Sequence, residues 1–298
     1  MSRFAALDLG LVVAAHGRHV IVETPERQRI HCHLRGKKTE AVVGDRVRWQ
    51  ASGDAGVIEE VEPRSNLLFR QDEWKSKSFA ANLDALLVLV AVEPPFSESQ
   101  LARALVAASS AGVPAWIGLN KTDLPSVDLA RARLAPYVAM GIEVVEFALK
   151  ADTDDAGAKL LPRLAGRTTL VLGPSGMGKS TLINRFVPAA NAQVGEISLA
   201  LNAGKHTTTT TTWYWLGEDA AQGALIDSPG FQEFGLRQIA ATDLASLMPD
   251  FAVHLGHCKF YNCSHRHEPQ CGVRDALQRG DIAATRYRIY GELFSELS

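Results

Sequence analysis

The chain has 298 residues, 46% of them hydrophobic and 21% charged, with 24 glycines and 13 prolines, which excludes disordered and fibrous classes and leaves room for two or three compact units. A net charge of −2 gives no global attraction to nucleic acid, so any RNA contact must come from a local patch. Apolar runs such as Ala85 to Val92 are far short of a bilayer span, and Asp8 interrupts the apolar N-terminal stretch without a small-residue cleavage pattern, so a cytoplasmic protein with no membrane partner is expected.

Residues 1–75 predict short strands at Leu11 to Ala15, His19 to Glu23, Arg29 to Leu34, Asp45 to Gln50 and Gly56 to Val61, separated by turn residues such as Gly17, Gly36, Gly44 and Gly53. Five short strands at this spacing suggest a small β-barrel, and the OB-fold is the commonest such barrel that binds nucleic acid. Arg27, Arg29, Arg35, Lys37, Lys38, Arg46 and Arg48 supply local positive charge for RNA, although acidic residues nearly balance it over the whole segment and a merely solvated surface is the alternative. Cys32, between His31 and His33, reads as a small buried apolar residue.

In residues 76–240 the rhythm changes to apolar strands alternating with helical stretches, as in an α/β domain with a parallel sheet. The strand candidates are Asp84 to Val92, Ala115 to Leu119, Glu143 to Phe147, Thr169 to Leu172 and Ala224 to Ile226. Gln100 to Ser110, Leu129 to Met140 and Lys179 to Phe186 predict helices.

Gly173-Pro174-Ser175-Gly176-Met177-Gly178-Lys179-Ser180 follows one of these strands and opens a helix, the context a phosphate-binding loop requires. Its backbone N–H groups would converge on phosphate oxygens, Lys179 would reach the β/γ-phosphates, and Ser180 would ligate Mg²⁺. Thr181 is placed for the α-phosphate. Asp227-Ser228-Pro229-Gly230, after the strand Ala224 to Ile226, sets a carboxylate where the Mg²⁺ water shell belongs and the Gly230 N–H where the γ-phosphate belongs.

Asn120-Lys121-Thr122-Asp123 directly follows the strand Ala115 to Leu119 and selects the base. Asp123 can accept hydrogen bonds from guanine N1–H and N2, whereas adenine presents an acceptor at N1 and leaves the carboxylate unpaired. Asn120 either braces the loop or reaches N7, and the Lys121 stem lies along the base. This motif precedes the phosphate loop by about fifty residues, the reverse of the usual order in guanine-nucleotide switches. Joining nearby termini and opening the chain elsewhere leaves such a site intact, so the domain is a circular permutation.

Thr207 and Thr208, in Gly204-Lys205-His206-Thr207-Thr208-Thr209, are candidates for Mg²⁺ coordination in a first switch, with Thr207 to Trp215 also reading as a strand. Phe231 occupies the place where a water-orienting glutamine is common, and phenylalanine cannot hydrogen-bond water. His206 is therefore the candidate catalytic residue, its neutral imidazole accepting from the attacking water. In residues 241–298, Cys258, Cys263 and Cys271 crowd together with His257, His265 and His267. Three thiolates and one imidazole suit one structural Zn²⁺, which would hold together a segment too short for a large core.

These motifs, with Asp227-Ser228-Pro229-Gly230-Phe231 and the run ending Glu268-Pro269-Gln270-Cys271, resemble the ribosome small-subunit-dependent GTPase A family (RsgA, also called YjeQ). The likeness extends from the barrel through Ala81-Asn82-Leu83-Asp84 to Arg286-Tyr287 and Tyr290. It implies an OB-fold, a circularly permuted P-loop GTPase domain and a small zinc-binding domain, and it selects His265 as the fourth zinc ligand. It further implies GTP hydrolysis to GDP and phosphate, slow alone and stimulated by the small (30S) subunit, in late subunit maturation, with 16S rRNA bound through the barrel and zinc domains. A monomer is expected. The sequence departs from the family at Phe147-Ala148-Leu149, where a serine-alanine pair usually closes on guanine; Ala148 keeps a backbone N–H for the base oxygen.

Overall fold

The N-terminal strands close on themselves. In the computed structural model, which describes residues 7–16, 19–35, 40–71, 76–188, 190, 211–217, 223–228 and 235–298, they are β1 (Asp8–His16), β2 (His19–Glu23), β3 (Arg29–Leu34), β4 (Arg46–Ser52) and β5 (Ala55–Val61). They pair in the order β1-β2-β3-β5-β4, with β4 returning to β1. Val12, Val20, Val22, Cys32, Val47, Trp49 and Ile58 fill the interior, because alternate residues of a strand face one side. Cys32 is buried as expected, and that burial pushes its thiol up to about 11.

The positive face expected on the barrel is largely neutralised. Glu23 holds Arg27 and Arg29, Glu59 holds Arg35, and Glu62 holds Arg48. Lys37 and Lys38 lie outside the described residues. Acidic partners several positions away in sequence, brought in by strand pairing, were not visible as pairs in the linear order.

A hairpin, β6 (Leu67–Gln71) with β7 (Ser76–Ala81), follows the barrel. Beyond it are β8 (Ala85–Ala91), α1 (Glu98–Ser110), β9 (Ala115–Asn120), α2 (Val127–Ala139), β10 (Val144–Glu146), α3 (Thr153–Leu164), β11 (Thr168–Leu172), α4 (Lys179–Phe186), β12 (Thr211–Trp215) and β13 (Ala224–Asp227). Strands β10-β9-β8-β11-β13 run parallel in that order, and β12 pairs antiparallel with β13.

All seven residues of β8 are buried, as a strand covered on both faces requires. Leu86, Val88 and Val90 enter the core that includes α1 and α2, whereas Leu87 and Leu89 enter the core that includes α3 and α4. Helix α3 escaped the sequence reading because Gly157 and Pro162 interrupt its period. It forms nevertheless: Asp152 caps it by accepting from Asp155 N at 3.0 Å, and Ala156, Leu160 and Leu164 bury its inner face.

Strand β1 serves both layers. Its first half pairs with β4, and its end pairs with β12 through Ala14↔Thr212 and Ala15↔Thr211, so barrel and parallel sheet form one 11-stranded sheet. The C-terminal region contributes α5 (Pro249–Ala252), α6 (Gly272–Arg279) and α7 (Ala284–Leu297). Phe251, Ile289, Tyr290 and Leu293 join the core beneath α1 and α2. Arg286 and Asp250 form a two-bond ion pair there, at 2.9 and 3.0 Å. No helix among the described residues is long and apolar enough to cross a membrane.

Candidate functional site

The chain leaves β11 at Leu172, passes through residues 173–178 and enters α4 at Lys179, so unpaired N–H groups of the first helical turn open toward the loop. Gly178 has φ +105°, and a Cβ there would stand 2.3 Å from Asn120 Nδ2; one on Gly173 would stand 2.4 Å from the Leu89 carbonyl. Only glycine lets the loop lie this close to its neighbours. Met177 anchors it by burying its side chain. Lys179 Nζ donates to the carbonyls of Gly173 and Pro174. Burial lowers the Lys179 pKa, and Asp227 opposes that effect.

The base-recognition loop is tied to this one by a single buried side chain. Asn120, the last residue of β9, accepts at Oδ1 from Lys121 N (2.8 Å) and Leu149 N (3.1 Å), and donates through Nδ2 to the Met177 carbonyl (2.9 Å). These three bonds brace the base-recognition loop against the phosphate loop. A cavity of about 450 Å³ lies between the loops, with Lys121, Asp123, Ser175, Gly176, Ser180 and Thr181 on its walls, a size suited to a nucleotide. Asp123 is exposed within it, free to meet a ligand. Ala148 is buried between Phe147 and Leu149, and its N–H takes no acceptor among the described residues. Leu124, Leu149 and Lys150 also line the cavity; their adjacency to the motifs was the only signal in sequence.

Asp227 ends β13 beside β11. Burial pushes its carboxyl up and Lys179 pulls it down, while Oδ1 has no hydrogen-bond partner among the described residues. A buried, orphaned carboxylate oxygen next to a phosphate loop fits a hydrated Mg²⁺ ion. Thr211 Oγ1 and Ser228 Oγ, 3.4 Å apart, join the start of β12 to the end of β13. His206, Thr207, Thr208 and Gly230 lie outside the described residues.

The second constellation is Cys258, Cys263, His265 and Cys271, whose ligand atoms all lie within 4.8 Å of one another. His265 Nδ1 is 3.5 Å from both Cys258 Sγ and Cys271 Sγ, which are 4.0 Å apart. A tetrahedron with Zn–S bonds of about 2.3 Å has edges of about 3.8 Å, so the set is compatible with zinc. Burial lowers the His265 pKa, favouring the neutral imidazole that a metal takes, and pushes the Cys263 thiol up to about 12. Burial also raises the Glu268 carboxyl, but hydrogen bonds from the Ser264 hydroxyl and from the N–H groups of Ser264, Glu268 itself and His267 outweigh it and hold that group well below the usual carboxylate range. The Tyr287 and Tyr290 hydroxyls donate to the His265 and Ser264 carbonyls, which fixes the ligand loop on α7.

A phosphate loop after β11, an Asn-Lys-Thr-Asp loop upstream after β9 and a carboxylate after β13, all in one parallel sheet, define a circularly permuted P-loop GTPase. It carries an N-terminal OB barrel and a C-terminal Cys₃His module. The chain belongs to the RsgA GTPase family, whose description matches residues 61–237. It is 62% identical over 294 residues to the small ribosomal subunit biogenesis GTPase RsgA of Variovorax paradoxus, covering 97% of this chain and 92% of that protein. The protein of the same description from Burkholderia pseudomallei is 52% identical over 292 residues, with the same coverage. Among solved structures, YjeQ from Thermotoga maritima matches with a TM-score of 0.71 at 30% identity over 97% of this chain and 98% of that one. The circularly permuted GTPase YloQ matches with a TM-score of 0.70 at 26% identity over 100% and 97%.

Proposed function

We propose that the chain acts in late maturation of the small ribosomal subunit, hydrolysing GTP to GDP and phosphate while bound to 16S rRNA, with turnover stimulated by the 30S subunit. The observation that carries the chemistry is the Asn120 brace, which sets the Asp123 carboxylate and the phosphate loop around one nucleotide-sized cavity. The ribosomal assignment is supported by relatives described as small ribosomal subunit biogenesis GTPases at 52–62% identity.

In this reading Asp123 accepts from guanine N1–H and N2, the Lys121 stem flanks the base, and the Ala148 N–H meets the base oxygen. The N–H groups of residues 173–181 surround the phosphates. Lys179 exchanges its bonds to the Gly173 and Pro174 carbonyls for the β/γ-phosphates, which relieves the cost of burying an ammonium against neutral acceptors. Mg²⁺ neutralises developing charge on the phosphates when bound; Ser180, Asp227 through water, and Thr207 or Thr208 are the residues to hold it. Gly230 donates its N–H to the γ-phosphate, and His206 accepts a proton bond from the attacking water. Cys258, Cys263, His265 and Cys271 hold one structural Zn²⁺. The protein works as a cytoplasmic monomer.

External completion of a GTPase site is worth roughly 10³ to 10⁵ in rate, so turnover is measured with and without purified 30S subunits. Equal rates in both arms reject stimulation. Asp123→Asn is expected to move preference from GTP to xanthosine triphosphate, and unchanged selectivity rejects the base assignment. His206→Ala with unchanged turnover removes that residue from the mechanism.

A further inference from the structure

A second cleft, of about 470 Å³, lies between barrel and parallel sheet, with walls from β1, β2, β4, β12 and the turn before β11. It sits at the far end of β12 from the nucleotide cavity, since Trp215 pairs with the start of β13 and Thr212 with Asp227 at its end. Glu23, only 5% exposed, accepts at Oε1 from Trp215 Nε1 (2.7 Å) and Arg27 Nη1 (3.1 Å), and at Oε2 from Arg29 Nε (3.1 Å). These bonds lay the Arg27 guanidinium over the Trp215 ring, 3.9 Å from its centroid. Trp213 supports Trp215 edge-on, with centroids 5.1 Å apart. The result is a planar cationic platform locked by a buried carboxylate.

The described residues that line the cleft carry more positive than negative charge. Among the described residues Glu23 is the one acidic residue on its walls, and its two oxygens are already shared by two arginines and an indole. Arg46 and Arg167 line the same cleft, are exposed, and have no acidic partner among the described residues. Guanidinium planes and aromatic faces stack on bases, and free arginines bind phosphate in a bidentate manner. An acidic peptide would leave the flat Arg27–Trp215 platform without a complementary planar group.

We propose that this cleft is a subsite for one nucleotide of single-stranded RNA, its base stacked on the Arg27–Trp215 pair and its flanking phosphates held by Arg46 and Arg167. The assignment deepens the rRNA-binding reading above by naming where an unpaired nucleotide is held. Because stacking dominates, binding is tolerant of base identity, and because two phosphates are held, it is salt-dependent.

The test uses the full chain saturated with GDP and Mg²⁺, so that the first cavity is filled. It is titrated with a labelled single-stranded decauridylate, with uridine monophosphate and with a duplex of the same length. The decauridylate is expected to bind more tightly than the other two. Arg46→Ala/Arg167→Ala should weaken it about tenfold and flatten the log–log salt slope by about 1.4, from two contacts at about 0.7 each. Arg27→Gln should weaken it several-fold with little change in slope. Thermal melts of the variants verify folding, which exposed Arg46 and Arg167 do not support. If the double variant binds decauridylate with wild-type affinity and slope, the cleft assignment is overturned while 30S-stimulated turnover still decides the ribosomal reading separately. Equal affinity for uridine monophosphate also overturns it, pointing to a free nucleotide, as does preference for duplex.

Discussion

Asn120 Nδ2 donates to the Met177 carbonyl at 2.9 Å across 57 residues of chain. That bond, with the two that Asn120 Oδ1 accepts, makes one amide the junction of the phosphate loop, the base loop and the loop after β10. Asn120→Ala is therefore expected to leave buried groups unpaired in all three, at a cost of about 2–4 kcal/mol in stability. GDP and GTP affinity should fall together by at least about tenfold. A fluorescent-GDP titration beside a urea melt checks this, and a variant with wild-type affinity contradicts the bracing role.

Gly178 and Gly176 both have positive φ, but their surroundings differ. A Cβ on Gly178 meets Asn120 Nδ2 at 2.3 Å, whereas one on Gly176 meets nothing nearer than Pro94 Cδ at 3.4 Å. Gly178→Ala should therefore nearly abolish nucleotide binding, while Gly176→Ala carries only the strain of a left-handed alanine, about 1–2 kcal/mol. Equal losses in the two variants, measured by calorimetric GDP titration, would contradict the clash.

Asp227 gives a pH signature. Burial raises its carboxyl above the ordinary value, with Lys179 opposing, so near and above pH 4 the folded state binds this proton more tightly than the unfolded chain. Its contribution to stability accordingly falls as pH rises from the unfolded pKa through the raised one. Nucleotide-free wild type should lose stability relative to Asp227→Asn over that interval, while the variant loses roughly 10²-fold in Mg²⁺-supported turnover. Melts from pH 4 to 7 read the first effect; a constant difference between the two proteins contradicts it.

Removing zinc should loosen the ligand loop without emptying the nucleotide cavity. The loop between Cys258 and Cys271 contains no long helix and rests on the four ligands, the Glu268 carboxylate and two tyrosine hydroxyls. Chelation by phenanthroline, or Cys258→Ser, is expected to expose residues 258–271 to protease while GDP affinity stays within about twofold of wild type, metal-driven order being local. Elemental analysis should return one zinc per chain, and unchanged proteolysis after chelation contradicts a structural metal.

Arg286 and Asp250 are both largely buried, at 3% and 8% side-chain exposure, and Arg286 Nη1 has no partner among the described residues. Arg286→Met leaves a buried carboxylate alone and should cost about 3–5 kcal/mol, while Arg286→Met/Asp250→Leu should recover most of it. Urea melts of the four proteins in the cycle give the coupling. Additive losses would show that the pair does not act as a unit.

Motifs whose chemistry depends on local spacing were legible in the linear chain. Residues 173–180 needed only a strand before and a helix after, and Asn120 to Asp123 needed only a strand end, so the permuted order could be read directly. The buried run Ala85–Ala91 announced a strand covered on both faces by its unbroken apolarity. The Cys₃ cluster was legible too, although spacing left its histidine open among His257, His265 and His267 and only the family resemblance selected His265. Chain reversal around Glu268 and the support of Tyr287 bring only His265 among the sulfurs.

What required the tertiary structure were relations between residues far apart in the chain. The pairing of β1 with β12, the convergence of Asn120 on Met177, the neutralisation of barrel arginines by Glu23, Glu59 and Glu62, and the Arg27–Trp215 platform all arise from strand pairing and packing. Local propensity carries no record of such partners, since one pattern of alternating side chains is compatible with many registers and neighbours. Composition and spacing determined which chemistries the chain can perform. Packing decided where each is held and which charges remain free to meet a ligand.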